Sequence, residues 1–356
     1  MKLTILDRYI GRQVLLSVLF TLLVLVGLRT LFTLLDEASK IGEGHYQFVD
    51  ALYYALLLVP SRIYEFFPMG VLIGGLSALG TLAQQNELTV MRAAGIKTLR
   101  IVGSAVKATV LLMIVVFVSG EWLAPQTSQL ATSKRAAALS DNQLQQSQRG
   151  VWARSGSDFI NIGSILRSDE LRKLTILRFN EQAQLVQQIS ADKAHFSDGR
   201  WVLENVSIAT PSDERVEFER TTTLSWQGEL SPQHIQVLQI EPEMLNLQGL
   251  KEYQAYLDNN LLDSRRYQLE YWKKITQPFA LIVMIVLASS FVFGPMRSVS
   301  MGARLMSGIV VGFGFHIVNN FFGPISLVYQ LPPLFGALIP AVLFAGLAFW
   351  LLRRAS

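Results

Sequence analysis

Residues 101–125 read IVGSAVKATVLLMIVVFVSGEWLAP, and a second kind of stretch opens at 151 with VWARSGSDFINIGSI. The first is an apolar run of the length that crosses a bilayer, for which about 20 residues are needed. It closes on Glu121, Trp122 and Pro125, and a tryptophan at that point suits the membrane–water boundary. The second alternates apolar and polar residues around Gly and Ser turns, the period-2 signature of short antiparallel strands with one buried face. The hydrophobic period therefore changes where the chain leaves lipid. This implies an α-helical membrane protein with an inserted all-β domain.

Toward the N-terminus, the apolar stretch Ala51–Ala83 is too long for one straight span and is interrupted by Pro60 and Pro68, with Arg62 and Glu65 between them. It reads as an interfacial helix up to about Val59 and a kinked span from about Arg62 to Ala83. Before it lie a polar loop, DEASKIGEGHYQFVD at 36–50, and a first span at Gln13–Leu35 behind the basic leader MKLTILDRYIGR. The run Val14–Leu28 has no small-residue cleavage site after it and reads as a retained span. Toward the C-terminus the alternation continues through KLTILRF, QLVQQIS, GRWVLENVSIA and RVEFERTTTLSW, with SDG at 197–199 as a turn. From about Gly150 to Pro242 there is enough chain for one β-sandwich or jelly-roll domain of about 100 residues. Three further apolar runs, Ile275–Gly294, Ala303–Phe322 and Pro333–Leu352, bring the expected spans to six. The expected organisation is spans one to three in 1–125 with a cytoplasmic helix at 84–96, a jelly-roll-like domain in 126–250, a helical linker in 251–274, and spans four to six in 275–356.

Composition agrees. Of 356 residues 51% are hydrophobic and only 16% charged, against about 25% in soluble domains, and mean hydropathy is +0.34. There is no cysteine, so disulfides and thiolate metal sites are excluded. With six spans, the basic residues of the short loops all fall on one side: Lys2, Arg8 and Arg12; Arg92, Lys97 and Arg100; Arg297 and Arg304; Arg353 and Arg354. That side is cytoplasmic by the positive-inside rule, which puts both termini inside and the β-domain in a periplasm-like space. Arg265, Arg266, Lys273 and Lys274, with Lys134 and Arg135, lie on the outer side against this trend. Either long segments cross whatever their charge, or these cations face an anionic ligand at the membrane surface.

Motifs for chemistry are missing. No GxxxxGK[ST] loop, HExxH or GxSxG occurs. The histidines, His45, His195, His234 and His316, are scattered, and His316 reads as a packed or hydrogen-bonded residue of a span. The β-region has mixed charge, which argues against nucleic-acid binding. Polar residues inside spans are costly and default to functional candidates. Asn319 and Asn320 read as hydrogen-bonding between helices, and Lys107 as snorkelling to the cytoplasmic surface. Lys40, beyond Arg29 and Asp36, marks the outer end of the first span, and Arg62 and Glu65 that of the second. The segment QQNELTVMRAAGIKTLR at 84–100 is the most informative. Asn86 can cap a short helix, Glu87 sits in its first turn and Gly95 can end it. With a free carboxylate and an exposed Arg92, this helix reads as a docking element for a partner rather than a connector held by headgroups.

Several segments together resemble the LptF/LptG permeases, the membrane subunits of the lipopolysaccharide-exporting ABC transporter of Gram-negative bacteria. They are LDRYIG at 6–11, VPSRIYEFFPMGVLIGGL at 59–76, LAQQNELTVMRAAGI at 82–96, GEWLAPQ at 120–126 and FGPMRSVSMGAR at 293–304. The resemblance implies a non-catalytic permease subunit of the inner membrane, in a heterodimer with LptF. It also implies two copies of the ATPase LptB, which bind ATP and Mg so that this chain needs no cofactor, together with LptC and the periplasmic bridge protein LptA. Lipopolysaccharide would enter a cavity from the outer leaflet and pass into the jelly roll. By the same resemblance Glu87, with Asn86 and Arg92, couples to the ATPase. Lys40 and Arg135 meet the lipid A phosphates, with Lys134, Arg265 and Arg266 as further candidates and Phe67 and Phe315 as apolar contacts. Where the family carries a lysine near the outer end of the second span, this sequence has Ser61 followed by Arg62. Two other readings compete: a membrane enzyme acting on lipid or glycan through Glu65 and Glu121, and a sensor or scaffold that displays a β-domain.

Overall fold

The computed structural model describes residues 4–143, 151–293 apart from 168, 181, 183, 198, 212–214, 229, 233–234, 236–241 and 261, and then 300–355. Lys2, His234 and Arg297 lie outside the described residues. The chain forms two compact units. One comprises 1–39, 52–131 and 265–356, and the other 40–51 and 132–264.

The first unit holds six helices long and apolar enough to cross a membrane. They run over α1 (Ile5–Ala38), α3 (Val59–Gln84), α5 (Thr98–Val118), α8 (Arg265–Phe293), α9 (Met301–Val328) and α10 (Pro333–Ala355). Between α1 and α3 lies α2 (Phe48–Leu57), and between α3 and α5 lies α4 (Glu87–Ala93). In α1, Ile10, Val14, Val18, Leu22 and Val26 recur every fourth residue and are buried, while Leu16, Leu19, Phe20 and Leu23 are exposed. A single apolar stripe is spent on the bundle, and the rest of the helix is left for lipid or a partner. Opposite the stripe α3 carries Gly70-x-x-x-Gly74. A Cβ at Gly74 would stand 2.5 Å from Val18 Cα, and one at Gly70 would stand 2.6 Å from the Leu22 side chain. Small residues four apart let the two backbones approach, which is how spans pack where lipid removes the hydrophobic drive. Val71, Leu72, Leu76 and Leu79 of α3 then meet Met284, Ile285 and Ala288 of α8 in the centre of the unit.

Hydropathy misplaces the ends of several helices. After α5 the chain makes one π-turn, Ser119–Leu123, and continues as α6 (Ala124–Gln143), so residues 126–143 are helix where the β-domain was expected to begin. The fourth span starts at Arg265 instead of about Ile275, and only α7 (Leu247–Asn259) remains of the expected linker as a separate helix. A helix is held by local i→i−4 bonds and does not stop where the apolar window stops.

The second unit contains one antiparallel sheet of six strands in the order β1-β2-β3-β4-β5-β6. The strands are β1 (Val151–Ser155), β2 (Asp158–Arg167), β3 (Glu170–Phe179), β4 (Leu185–Ser197), β5 (Arg200–Pro211) and β6 (Val216–Trp226). Gly156 at φ +59° and Gly199 at φ +78° supply the left-handed residues of the first and fourth hairpins. The inserted all-β domain is as expected, and each described strand pairs with the next as a meander. One face buries Ile160, Ile162, Leu174, Ile176, Ile189, Trp201 and Leu203. The sheet is rolled: Trp226 Nε1, at the end of β6, donates to Asp158 Oδ2, at the start of β2, at 2.9 Å. Arg178 of β3 clasps the same carboxylate through Nε and Nη2, each at 2.9 Å. Burial pushes the Asp158 carboxyl up, but the Arg178 and Trp226 hydrogen bonds and the Arg178 charge outweigh it and hold it below the ordinary aspartate range.

Candidate functional site

On the basic side of the membrane unit, α4 stands between the second and third spans. Asn86 precedes it at φ +62°, in the left-handed region, and makes no side-chain cap bond, so it turns the chain instead of capping the helix as expected. Glu87 is not free either. Tyr9 Oη reaches both its carboxylate oxygens, at 2.9 and 2.7 Å. Leu88 is buried and anchors the helix from below. At the other end, Gly95 at φ +84° donates to Arg92 O and Ile96 donates to Met91 O, each at 3.0 Å; Gly95 ends the helix as expected, and does so in a Schellman pattern. Arg92 is exposed, and so are Val90 and, beyond the turn, Leu99. The result is a seven-residue helix fixed at both ends, with its acid turned to α1 and a cation and an apolar side chain, Arg92 and Val90, exposed.

Behind it lies a cluster that sequence reasoning missed. Asp7 is buried and accepts from Ser104 Oγ at 2.7 Å, Lys107 Nζ at 3.0 Å, Thr4 N at 3.0 Å and Arg100 Nη2 at 3.3 Å. Thr4 and Asp7 form a capping box on α1. Lys107 therefore does not simply snorkel but ties α5 to α1. The signal was present as Thr-x-x-Asp at the head of an apolar run, but the partners come from another span.

At the opposite end of the unit the expected cations are engaged. Arg62 Nη1 meets Glu65 Oε2 at 2.7 Å. Lys274 Nζ meets Glu121 Oε1 at 2.9 Å, with the two side chains 7% and 13% exposed, and lies 5.3 Å from the centre of the Tyr64 ring. Glu121 sits on the π-turn, and the adjacent Gly120 leaves room for Tyr64, whose ring a Cβ there would strike. Glu65 and Glu121, the acids on which the enzyme reading depends, are thus each held by a cation of their own. Arg265 is half-buried and Arg266 exposed at the head of α8. Phe67 and Phe315 are buried within the bundle, Phe315 edge-on to Phe344, so neither offers a free face to a ligand. Asn320 pairs with His316 of its own helix at 3.0 Å, not with a neighbouring helix, and His316 stacks on Phe66.

Lys40, Lys134 and Arg135 belong to the other unit. There His45 N donates to Ala138 O at 3.0 Å, which lays the 39–46 loop along α6, the helix that carries Lys134 and Arg135. Lys134 is exposed, and Lys40 and Arg135 are half-buried. The sheet of this unit carries an open groove of ≈ 950 Å³ lined by Trp152, Arg154, Phe159, Leu177 and Phe179. Arg154 lies over the Phe159 ring at 4.9 Å. Aromatic walls with one cation suit a ligand that is apolar with a charged end. Among the described residues no three His, Asp or Glu side chains gather as a metal site.

Residues 8–354 match the family described as lipopolysaccharide export system permease LptF/LptG. The chain belongs to the LptF/LptG family. Within the family it is 38% identical to the lipopolysaccharide export system permease protein LptG of Escherichia coli (strain K12) over 355 residues, 99% of each chain. It is 36% identical to LptG of Haemophilus influenzae over 351 residues, 98% of each chain. To LptF of Escherichia coli (strain K12) it is 31% identical over 174 residues, 44% of this chain and 47% of that one. The likeness is full-length on the LptG side of the family and partial on the LptF side.

Proposed function

We propose that this chain is the LptG-type permease subunit of an ABC transporter that takes lipopolysaccharide from the outer leaflet of a Gram-negative inner membrane and hands it to a periplasmic bridge. The observation that carries this is the full-length likeness to proteins named for lipopolysaccharide export. In this reading LptF is the second permease subunit, two LptB ATPases supply ATP and Mg on the basic side, and LptC and LptA receive the lipid. Both termini are cytoplasmic and the β-unit is periplasmic, because the short basic loops set the orientation. Residues 5–118 and 265–355 carry the spans and 151–226 the sheet of the β-domain, with α6 leading into it and α7 following it. The α4 segment, with Asn86, Glu87 and Arg92, is the ATPase contact. Lys40, Lys134, Arg135, Arg62, Arg265 and Arg266 are the phosphate contacts, and the groove at Trp152 and Phe159 accepts acyl chain.

The physics is consistent with this division of labour. The substrate is a set of acyl chains on a phosphorylated head, and each CH₂ withdrawn from lipid has to be covered again at about 0.8 kcal/mol. Extraction is uphill, so it is driven by a partner's nucleotide and transmitted through a docked helix.

The test is purification from gently solubilised membranes, with ATP hydrolysis measured with and without lipopolysaccharide. Recovery of an ATPase and a second six-span subunit is expected, with hydrolysis lost in Glu87→Ala while the chain stays folded. A chain that purifies alone and turns over a lipid by itself would overturn the reading in favour of an enzyme.

A further inference from the structure

Arg62 and Glu65 stand one turn apart at the start of the second span, and the contact between them is lopsided. Arg62 Nη1 donates to Glu65 Oε2 at 2.7 Å, whereas Arg62 Nε is buried with no acceptor among the described residues. A guanidinium presents a planar fork of donors that matches two oxygens of a phosphate. Glu65 takes a single N–H from one end of that group and leaves the fork that includes Nε unused. A buried donor without an acceptor is costly and rare in native proteins. The Arg62 side chain is 20% exposed and that of Glu65 37% exposed, so it is the acid that reaches water more readily.

We propose that Glu65 is an internal competitor for Arg62, occupying it when no lipid phosphate is bound and yielding it when one is, and so sets the affinity of this chain for a phosphomonoester on a lipid headgroup. The inference rests on the permease reading and adds a specificity-determining residue to it. With Glu65 in contact, Arg62 is folded back on its own helix and its Nε is out of reach. A phosphate brings more charge and three acceptor oxygens, enough to engage the fork that the carboxylate leaves idle. Glu65, once released, recovers its hydration because it lies at the exposed edge. The exchange trades one ion pair for another and avoids stranding a bare cation at the boundary of the bilayer. A transporter needs this property, since it must release what it binds. When the phosphate leaves, the carboxylate returns to the arginine. A fixed arginine without a competitor would hold the headgroup more tightly and let it go more slowly.

The experiment measures equilibrium binding of phosphorylated lipid A, and of the same lipid after its phosphates are removed enzymatically, to the assembled transporter in nanodiscs. Glu65→Gln keeps the size of the side chain and removes its charge. It is expected to tighten binding of the phosphorylated lipid about two- to fivefold, the range spanned by helical and exposed ion pairs. Binding of the dephosphorylated lipid is expected to stay as it was. Arg62→Gln is expected to weaken binding of the phosphorylated lipid, and adding Glu65→Gln to it to restore nothing, because the acid acts only through the arginine. Unchanged or weaker binding in Glu65→Gln, or a gain that persists without Arg62, would overturn the competitor role while wild-type binding leaves the permease reading intact. A wild-type transporter that binds neither lipid would overturn the permease reading, and this inference with it.

Discussion

Asp158→Ala should open the rolled sheet at the contact that ties its last strand to its second. In the native chain the carboxylate accepts from Trp226 Nε1, Arg178 Nε and Arg178 Nη2, all at 2.9 Å. Removal strands two donor side chains unequally. Trp226 is 4% exposed, so its indole N–H has no water to turn to, and a buried donor left unpaired costs about 1–3 kcal/mol. The Arg178 side chain is 40% exposed and can rehydrate, so its loss is discounted to about 0–1 kcal/mol, the scale of surface pairs. The expected cost is about 1–4 kcal/mol, less than the 3–5 typical of a fully buried pair. Hydrogen exchange of the full-length chain reads it locally. At about 1.4 kcal/mol per decade, amides of β2 and β6 should lose protection about 5- to 700-fold, with those of α3 unchanged. Asp158→Asn retains an acceptor for Trp226 and should cost less. Unchanged protection in β6, or an asparagine as costly as alanine, would refute the argument that the indole is the stranded partner.

The same carboxylate predicts a pH limb. Its folded pKa is depressed, so its contribution is complete above the unfolded value of about 4 and is lost as pH falls through the lower folded value. Protection of β2 and β6 should be flat from neutral pH to about 5 and fall below about 4, and Asp158→Asn should lack that limb. Gly74→Val would drive a side chain into the Val18 backbone 2.5 Å away. It should cost at least the 1–3 kcal/mol of overpacking, seen as a lower melting temperature in detergent, whereas Gly27→Ala, with open space around it, should be silent. Glu121→Ala removes the Lys274 partner in a nearly dry site and should cost about 3–5 kcal/mol, most of it recovered when Lys274→Met is added; thermal unfolding of the single and double variants beside the native chain decides this.

Much of the fold was legible in the sequence because it depends on local period. The apolar runs at 13–35, 101–124 and 333–352 and the alternation from Val151 to Trp226 report the solvent that each stretch faces, and the helices and strands follow. The turns at Gly95, Gly156 and Gly199 were readable for the same reason, since each requires a left-handed residue. Where an element ends was read less well. Arg265–Lys274 read as part of a helical linker and Gln126–Gln143 as the start of a β-domain, yet the first is continuous with the fourth span and the second is helix, because backbone hydrogen bonding carries a helix past the lipid that selected its apolar part.

Partnership was decided by the tertiary structure alone. The sequence by itself placed Glu87 in the first turn of a helix between the second and third spans, but only packing brought it under Tyr9, 78 residues away. Asp7 and Lys107 stood in the sequence as a motif residue and a snorkelling lysine, and the crossing of α1 and α5 made them one cluster. Glu121 and Lys274, 153 residues apart, read separately as an acid and an outer cation, and become a buried pair only where the π-turn after α5 meets α8. Hydrophobic period is a one-dimensional signal, set by the medium around each stretch. The pairing of charges is set by which helices the small residues allow to touch, and that is a property of the assembled bundle.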